Sequence, residues 1–329
     1  MATADLVTVV IPSYNGRRFI HATLDSILAQ THPAVHCIVV DDGSTDDTVE
    51  IVRAHPLAPT IIQQPNLGVA VARNRGLAAA APGWVAFLDQ DDLWHRDRLA
   101  SLVAFARAEG ASAVASSEHP FAFAADEEPL RNVGDGRDTW PRTWIQPGEE
   151  QSLVMSDREL SVHATGTITV EQLLGGAAML TTCVLYDRDL AISAGGCAPH
   201  ARALDDHVLN LNVARITGGI LRIDTQDVFY RVHPASTTTV SPMVGPFLST
   251  MAAMRLGGVF PDRHEVGPNV QHLLFNLAYA DLTLADQLGL LALVAPPRAR
   301  WRWFRRWLAR RSGLAALRTR ALTPRRNHH

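Results

Sequence analysis

Residues 7–41 read VTVVIPSYNGRRFIHATLDSILAQTHPAVHCIVVD. The stretch opens on five apolar or β-branched residues, 7–11, which predict a buried strand. A second apolar strand is predicted over 36–41. Between them, four apolar residues recur at helical spacing and would share one helix face: Ile20, Leu24, Ile27 and Leu28. A strand, a helix and another strand in this order form the unit from which parallel sheets are built.

The same alternation continues to about residue 117. Short apolar strands that alternate with helices of about 10–15 residues predict an α/β fold with a mostly parallel, doubly wound sheet and flanking helices. Such sheets bind ligands at the carboxyl ends of their strands. The further strands are predicted over 60–63, 84–88 and 112–117, and the further helices near 44–47, over 68–80 and over 95–108.

The rest of the chain divides by composition. Residues 118–175 lack an apolar period and are rich in Pro, Gly, Asp and Glu, so we interpret them as an insertion or flexible loop. Strand and helix patterns return over 176–240, with a helix over about 204–215 and two short strands within about 219–231. A helical C-terminal region is predicted over 241–297, followed by a basic tail over 298–329.

The composition is that of a globular protein. Of 329 residues, 47% are hydrophobic and 19% are charged, which excludes disordered and fibrous classes. Three scattered cysteines without a CxxC pair exclude a disulfide framework and a cysteine-built zinc site. The longest apolar stretch, 288–297, is too short to span a bilayer. The N-terminus lacks the pattern of a secretory signal, so we predict a cytoplasmic protein.

The net charge of −3 hides an asymmetry between the body and the tail. All 30 basic residues are arginine, and eleven of them lie in 298–329, which has no acidic residue. The tail therefore carries +11 and residues 1–297 carry −14. An acidic body argues against nucleic acid as a partner. A basic tail predicts an anionic partner surface.

Four polar clusters follow the first four predicted strands. Because the carboxyl ends of parallel strands share one edge of the sheet, we expect these clusters to meet in one crevice. They are PSYN at 12–15, DDGS at 41–44, NLGVAVARNRG at 66–76 and DQDD at 89–92.

The DQDD cluster holds three carboxylates within four residues. Such a group is stabilised by a divalent cation, and Mg²⁺ prefers oxygen ligands. Asp89 and Asp91 would point to the same side if the strand continued through them. A structural alternative is that Asp91 or Asp92 caps the helix that begins near His95. Elsewhere in these clusters, the alternatives are a turn or capping role for Asp42, a surface position for Tyr14 and a solvated helix face for Arg73.

Several phosphate-binding and catalytic motifs are missing from the sequence. There is no GxxxxGK[ST], and no GxGxxG follows the first strand, which argues against nucleoside triphosphatases and hydride-transfer enzymes. There is no GxSxG nucleophile elbow.

Four motifs in order resemble the family 2 inverting glycosyltransferases of GT-A fold: VVIPSYN (9–15), VVDDGSTD (39–46), NLGVAVARNRG (66–76) and FLDQDDLW (87–94). The resemblance implies a Rossmann-like GT-A sheet, with 1–117 as the nucleotide-sugar-binding half and 176–240 as the acceptor-side half. It also implies transfer of a sugar, with inversion, from a nucleoside diphosphate donor, UDP or dTDP by family preference. The implied cofactor is a divalent metal, Mn²⁺ or Mg²⁺. By family analogy the product is a bacterial surface polysaccharide or a lipid-linked glycan.

The resemblance also implies roles for individual donor-side residues. These are Pro12 and Tyr14 at the nucleobase, with Tyr14 stacking; Asp42 at the base edge, with Asp41 beside it; Arg73 at the base or diphosphate; Asp89 at the ribose or donor sugar; Gln90 within the same nucleotide-sugar-binding set; and Asp91 on the metal.

Two segments of the second half match the family less closely. LDDH at 204–207 resembles a Glu-Asp pair, with Asp in place of the usual Glu. It implies Asp206 as the general base that deprotonates the acceptor hydroxyl, with Asp205 as second choice. The alternative for Asp205 is helix capping. YRVHP at 230–234 resembles the family's YRxH segment, which implies His233 at the metal or diphosphate and Arg231 as a brace. The alternative for His233 is a purely structural role.

The tail predicts an amphipathic helix over 300–312, with tryptophans on one side and arginines on the other. This pattern is typical of a helix that lies in an anionic membrane interface. It predicts a peripheral protein that binds the inner face of the plasma membrane through 298–312, and it favours a lipid-linked or other glycan acceptor. The alternative is a helix docked on its own domain or on a partner subunit.

Two other function classes stay open. One is a non-catalytic nucleotide-sugar-binding or scaffold protein of the same fold. The other is a nucleotidyltransferase on a similar sheet. A nucleotidyltransferase typically has a Gly-rich N-terminal loop that contains lysine, and this chain has no lysine.

Overall fold

Strands and helices alternate along the N-terminal third of the chain, which confirms the α/β prediction. The computed structural model describes residues 5–132, 141–157, 160, 163–175, 179–199 and 205–236. The first part contains β1 (Val7–Ser13), α1 (Ile20–Leu28), β2 (Val35–Asp41), α2 (Thr48–Ala54), β3 (Thr60–Gln63), α3 (Val69–Ala79), β4 (Trp84–Phe87), β5 (Leu93–Trp94), α4 (Arg98–Ala108) and β6 (Ala113–Phe123).

The described part of 118–175 is more regular than the predicted insertion. Its elements are only three to six residues long, apart from the end of β6, so an apolar period has no room to show itself. They are a 3₁₀ turn (Ala124–Asp126), α5 (Glu127–Asn132), β7 (Thr143–Ile145), α6 (Glu150–Val154), β8 (Ala164–Ile168) and α7 (Val170–Gly175).

The second half completes the same sheet. The two short strands expected within 219–231 form one strand of 12 residues, whose register against β6 shifts between Arg222 and Val228. The elements are a 3₁₀ turn (Thr181–Cys183), β9 (Val184–Asp187), α8 (Arg188–Ser193), α9 (Asp205–Thr217) and β10 (Ile220–Arg231).

The strand order is β3-β2-β1-β4-β9-β6-β10-β5, with β7 beside β6 and β8 beside β10. β1, β2, β3 and β4 pair in parallel, as do β6, β7 and β10. β9 runs antiparallel between β4 and β6. A strand of the second half therefore separates two strands of the first, and the sheet is mixed.

β1 is the centre of the core. All seven of its residues are buried, as expected of a strand covered on both faces. α1 packs against it through Ile20, Leu24 and Ile27. On α3, a Cβ added at Gly76 would lie 2.2 Å from Val10 Cγ1. A glycine here lets α3 approach β1 closely, and this sets the position of Arg73 on the same helix.

A buried ion pair fixes β10 to the rest of the sheet. Arg98 pairs with Asp227, and both side chains are fully buried. Arg98 also donates to the Thr182 carbonyl at 3.0 Å. Removing one partner of such a pair leaves a buried unpaired charge, so these bonds hold β10 firmly in place. The chain segment after β10 carries His233.

The chain divides into two compact units. One comprises Met1–Leu173 and Ala177–Ser241, and the other Leu174–Gly176 and Pro242–His329. The helical region predicted over 241–297 and the tail over 298–329 lie outside the described residues. Among the helices that are described, none combines the length and apolar character needed to cross a membrane.

Candidate active site

The polar clusters converge at one edge of the sheet, because the strand ends that carry them are bonded to one another. The Asp42 N–H donates to the Ser13 carbonyl at 2.7 Å, which joins the ends of β1 and β2. The Gln64 N–H donates to the Asp41 carbonyl at 2.9 Å, which joins β2 to the segment after β3. The Leu88 N–H donates to the Val10 carbonyl at 3.0 Å and aligns the end of β4 with β1.

Asp42 organises the loop that leads into α3. One of its carboxylate oxygens, Oδ1, accepts from Gln64 Nε2 and from the Leu67 N–H, each at 2.8 Å. Oδ2 accepts from the Gly68 N–H at 2.8 Å. A carboxylate has about four lone-pair sites, so Oδ2 keeps one for a further donor. Gln64 was missed from the sequence, although its position just after a strand could have marked it.

The loop after β1 exposes a tyrosine ring beside buried strand ends. Pro12 and Asp41 are buried, whereas 44% of Tyr14 is exposed. Asn15 adopts a positive φ of 49°, and its Oδ1 accepts from the Thr45 N–H at 2.8 Å. The Asn15 N–H donates to Ser44 Oγ at 2.9 Å. These bonds fix the Tyr14 loop to the loop after β2.

The DQDD segment is a turn rather than the continuation of β4. The Asp92 N–H folds back onto the Asp89 carbonyl at 3.1 Å, so β4 does not continue through Asp89 and Asp91, and the condition under which they would share one side of a strand is not met. Thr23 Oγ1, on α1, lies 2.8 Å from the Gln90 carbonyl and 2.9 Å from the Asp92 carbonyl. The buried hydroxyl of Thr23 therefore fixes the turn to α1.

Asp91 and His233 form the candidate metal pair. Asp91 Oδ2 lies 3.0 Å from His233 Nε2, and the imidazole packs against Phe19 with 4.8 Å between ring centroids. Two neighbouring ligands of an octahedral ion, each about 2.1 Å from the metal, lie about 3 Å apart. A carboxylate oxygen and an imidazole nitrogen are both metal ligands in proteins, so Asp91 and His233, which are hydrogen-bonded to each other, could together hold a divalent cation.

The remaining carboxylate of the turn, Asp92, is buried. Burial raises the pKa of Asp92 well above its ordinary value, and the charges of Asp91 and Asp89 raise it further. This favours the neutral acid and relieves the repulsion between the three carboxyl groups. Asp92 Oδ1 accepts from the Arg231 N–H at 2.9 Å, so Asp92 links the turn to β10.

Arg231 braces the same turn. Its Nε donates to the Asp91 carbonyl at 2.7 Å. Its guanidinium carbon lies 4.6–4.7 Å from the ring centroids of Phe19, Phe121 and Phe123. Aromatic faces attract a cation, so these rings hold the guanidinium in place.

Arg73 joins the two halves of the site. Its guanidinium bonds Asp89 Oδ1 at 2.6 Å and Asp205 Oδ2 at 3.0 Å. Burial opposes the charge on Arg73, but Asp89, Asp205 and Asp206 outweigh it and hold the pKa of Arg73 well above its ordinary value. Arg73 thus connects the turn after β4 to the first residue of α9.

The two candidate bases differ in their surroundings. Asp205 is buried against Arg73, and burial raises its pKa although Arg73 opposes the shift. Asp206 is half-buried. Within the described residues its carboxylate accepts one hydrogen bond, from the His207 N–H at 2.8 Å. Asp206 is therefore the carboxylate better placed to accept a proton from a ligand.

A His–Asp–His cluster that sequence reasoning missed lies between α1 and α2. The ligand atoms of His21, Asp25 and His55 lie within 4.8 Å of one another. His55 Nδ1, however, accepts from the Leu57 N–H at 3.1 Å, so a neutral His55 carries its proton on Nε2, which lies 3.1 Å from Asp25 Oδ1. His21, Asp25 and His55 therefore form a hydrogen-bonded cluster whose ligand atoms are also close enough together to hold a metal ion.

Residues 8–153 match the family described as Glycosyl transferase family 2. The putative teichuronic acid biosynthesis glycosyltransferase TuaG of Bacillus subtilis is 43% identical over 104 residues, 30% of this chain and 41% of that protein. UDP-Glc:alpha-D-GlcNAc-diphosphoundecaprenol beta-1,3-glucosyltransferase WfaP of Escherichia coli is 36% identical over 107 residues, 32% of this chain and 43% of that protein. The matches thus span less than half of the length of these relatives.

Solved structures share the fold. S. aureus TarS 1–349 in complex with UDP-GlcNAc has a TM-score of 0.54 at 19% identity, covering 87% of this chain and 70% of that chain. The mannosyltransferase PcManGT from Pyrobaculum calidifontis, in complex with GDP-Man and Mn²⁺, has a TM-score of 0.53 at 20% identity, covering 94% and 80%. At these identities the likeness shows the fold alone, and it confirms the predicted GT-A class.

Proposed function

We propose that this protein is a metal-dependent inverting glycosyltransferase, because residues 8–153 match the family described as Glycosyl transferase family 2. It moves a sugar from a nucleoside diphosphate donor to a hydroxyl group of an acceptor. The observation that carries the proposal is the Asp91–His233 pair, 3.0 Å apart. Asp91 lies on the turn whose Asp89 is joined through Arg73 to the first residue of α9, and His233 lies in the segment after β10.

The donor is a uridine or thymidine diphosphate sugar. The exposed ring of Tyr14 is available to stack on the base. Asp42, whose carboxylate oxygens accept from three donors, offers its last lone pair to a base N–H such as N3–H of uracil or thymine. Pro12 and Asp41 line this part of the pocket, while Asp89 and Arg73 lie on the side of the ribose and diphosphate.

Catalysis is a single displacement. Asp91 and His233 would hold a divalent cation, Mn²⁺ or Mg²⁺, which would neutralise the charge of the departing diphosphate. Asp206 accepts the proton of the acceptor hydroxyl as its oxygen attacks the anomeric carbon. The oxygen–carbon bond forms while the bond to the diphosphate oxygen breaks on the opposite face, so the configuration inverts. Arg73 pairs with Asp205 at 3.0 Å and fixes the start of α9, which positions Asp206.

The acceptor is a growing surface polysaccharide or a lipid-linked glycan. The names of the Bacillus subtilis and Escherichia coli relatives, which concern teichuronic acid and a diphosphoundecaprenol-linked sugar, support this class of acceptor. The matches to these two relatives cover less than a third of this chain, so the acceptor itself must be found by experiment.

Release of nucleoside diphosphate tests the reaction. Purified protein incubated with Mn²⁺ and a panel of nucleotide-sugars is expected to release UDP or dTDP from one donor, and EDTA is expected to abolish the release because the diphosphate loses its counter-charge. Thermal shift with UDP, dTDP and GDP is the parallel binding measurement. Neither release nor binding with any nucleotide would contradict the proposal. Binding without release, even with glycan acceptors added, would favour a non-catalytic binding protein.

The tail is expected to hold the enzyme at an anionic membrane surface on the cytoplasmic side. Its segment 298–312 combines tryptophans with arginines and has no acidic residue. Deleting 298–329 is expected to abolish sedimentation with liposomes that contain anionic lipid, while donor hydrolysis continues. Full-length protein with neutral liposomes is the control. Equal binding of the truncated and full-length proteins would contradict this role.

A further inference from the structure

Gln90, the residue between the aspartates of the DQDD turn, makes three hydrogen bonds within the protein. Its Oε1 accepts from Ser13 Oγ at 2.8 Å and from the Tyr14 N–H at 3.0 Å, and its Nε2 donates to the Tyr14 carbonyl at 3.1 Å. Both lone pairs of Oε1 are thus used. The carboxamide therefore bonds both the N–H and the carbonyl of Tyr14, as the main chain of a neighbouring strand would.

The space for this side chain is created by Gly16. A Cβ added at Gly16 would lie 2.2 Å from Gln90 Oε1 and 2.8 Å from Gln90 Cδ. The loop after β1 thus wraps closely around the carboxamide. Because Gln90 is bonded to the main chain of Tyr14, a displacement of the DQDD turn would also displace the loop that carries Tyr14.

The two segments that Gln90 joins have different tasks in the proposed reaction. On one side, Tyr14 presents its exposed ring to the nucleobase. On the other, Asp89 and Asp91 flank Gln90 directly in the chain, and Asp91 pairs with His233. A cation that draws Asp91 toward itself must also act on the turn that contains Gln90.

We propose that Gln90 is a positioning residue that couples occupation of the metal pair to the placement of the nucleobase loop. The inference rests on the proposed function, since it assumes a nucleotide at Tyr14 and a cation at Asp91. It differs from the role that the family resemblance implies for Gln90, because the side chain acts on Tyr14 rather than on the nucleotide-sugar. Metal and base then bind with positive cooperativity.

Gln90→Met removes all three hydrogen bonds and keeps the side chain neutral and of similar length. Gln30→Met is the matched control. Gln30 likewise makes three hydrogen bonds, all of them to main-chain atoms: its Nε2 donates to the Ser26 and His95 carbonyls, and its Oε1 accepts from the Leu99 N–H. Ser13→Ala provides a milder change, because it removes one donor to Gln90 and leaves the carboxamide in place.

The measurement is the affinity of uridine, with and without Mg²⁺, by ligand-observed NMR. Uridine has no phosphate, so the cation cannot bridge to it directly, and any effect must pass through the protein. We expect Mg²⁺ to raise uridine affinity about fivefold or more in wild type and in Gln30→Met. In Gln90→Met we expect the effect to fall below about twofold, with Ser13→Ala between the two.

The outcomes separate this inference from the proposed function. Two results would overturn the role of Gln90 alone. In the first, Mg²⁺ raises the uridine affinity of Gln90→Met as much as that of wild type. In the second, wild type binds both uridine and Mg²⁺, but Mg²⁺ does not change its uridine affinity. Wild type that binds neither uridine nor Mg²⁺ would overturn the proposed function as well. If Gln90→Met does not fold, the inference is decided by Ser13→Ala, and an unchanged effect in that variant would contradict it.

Discussion

Asp206→Asn is expected to lower the rate of sugar transfer by about 10³-fold, because a positioned general base contributes about 10²–10⁴-fold and the amide accepts no proton. Asparagine keeps the size of the side chain and the oxygen that accepts from the His207 N–H. Donor affinity should therefore change little. The measurement is the transfer rate with a saturating donor and an identified acceptor, together with the Kd for UDP.

Two variants serve as comparisons for Asp206→Asn. Asp224→Asn changes an exposed carboxylate of β10 and should leave transfer unchanged. Asp205→Asn removes the charge that pairs with Arg73 at 3.0 Å, so it should lower both stability and donor affinity. If the transfer rate of Asp206→Asn stays within about tenfold of the wild-type rate, Asp206 is not the general base. If Asp205→Asn alone loses transfer with donor binding intact, the base is Asp205.

Asp91→Asn is expected to weaken Mn²⁺ binding by more than about 100-fold, since even indirect supports of a metal site typically contribute 10–100-fold. The neutral amide loses the charge that faces His233 across 3.0 Å. Donor hydrolysis should then fall to the level seen with EDTA. Titration of Mn²⁺ by calorimetry, alone and with UDP, measures the effect directly.

Asp25→Asn distinguishes the two places where the chain could hold a metal. Asp25 lies between His21 and His55, and its carboxylate pairs with both of these histidines. The change should leave Mn²⁺ affinity and hydrolysis at wild-type levels, because the proposed cation binds at Asp91 and His233. If Asp25→Asn loses Mn²⁺ binding and Asp91→Asn keeps it, the metal site is the cluster of His21, Asp25 and His55 instead.

The strands and the polar residues at their ends could be predicted because both signals are local. Runs such as VTVVI and CIVVD show a buried strand by themselves, and the next residues mark the edge where ligands bind. This reasoning identified Asp42, Asp91 and Arg73 as candidates. Their roles stay predictions, but the structure brings their segments to one edge of the sheet.

The supporting contacts could not be predicted, since each joins residues far apart in the chain. Asn74 bonds the main chain of Cys197 in both directions, at 2.7 and 2.8 Å, and no local pattern indicates that partner. The position of β9 between β4 and β6 is equally non-local, because a four-residue apolar strand carries no information about its neighbours. The family resemblance is only partial where these contacts originate, in the second half of the chain.

The position of β9 has a consequence for folding during synthesis on the ribosome. β1, β2, β3 and β4 can pair as they emerge, but the second edge of β4 and the near edge of β6 wait for Val184–Asp187, which is made after β6 ends at Phe123. At about 5–20 residues per second this interval lasts about 3–12 seconds. During that time two strand edges are open to other nascent chains. A gene fragment that stops at residue 153, where the family match ends, would leave them open permanently.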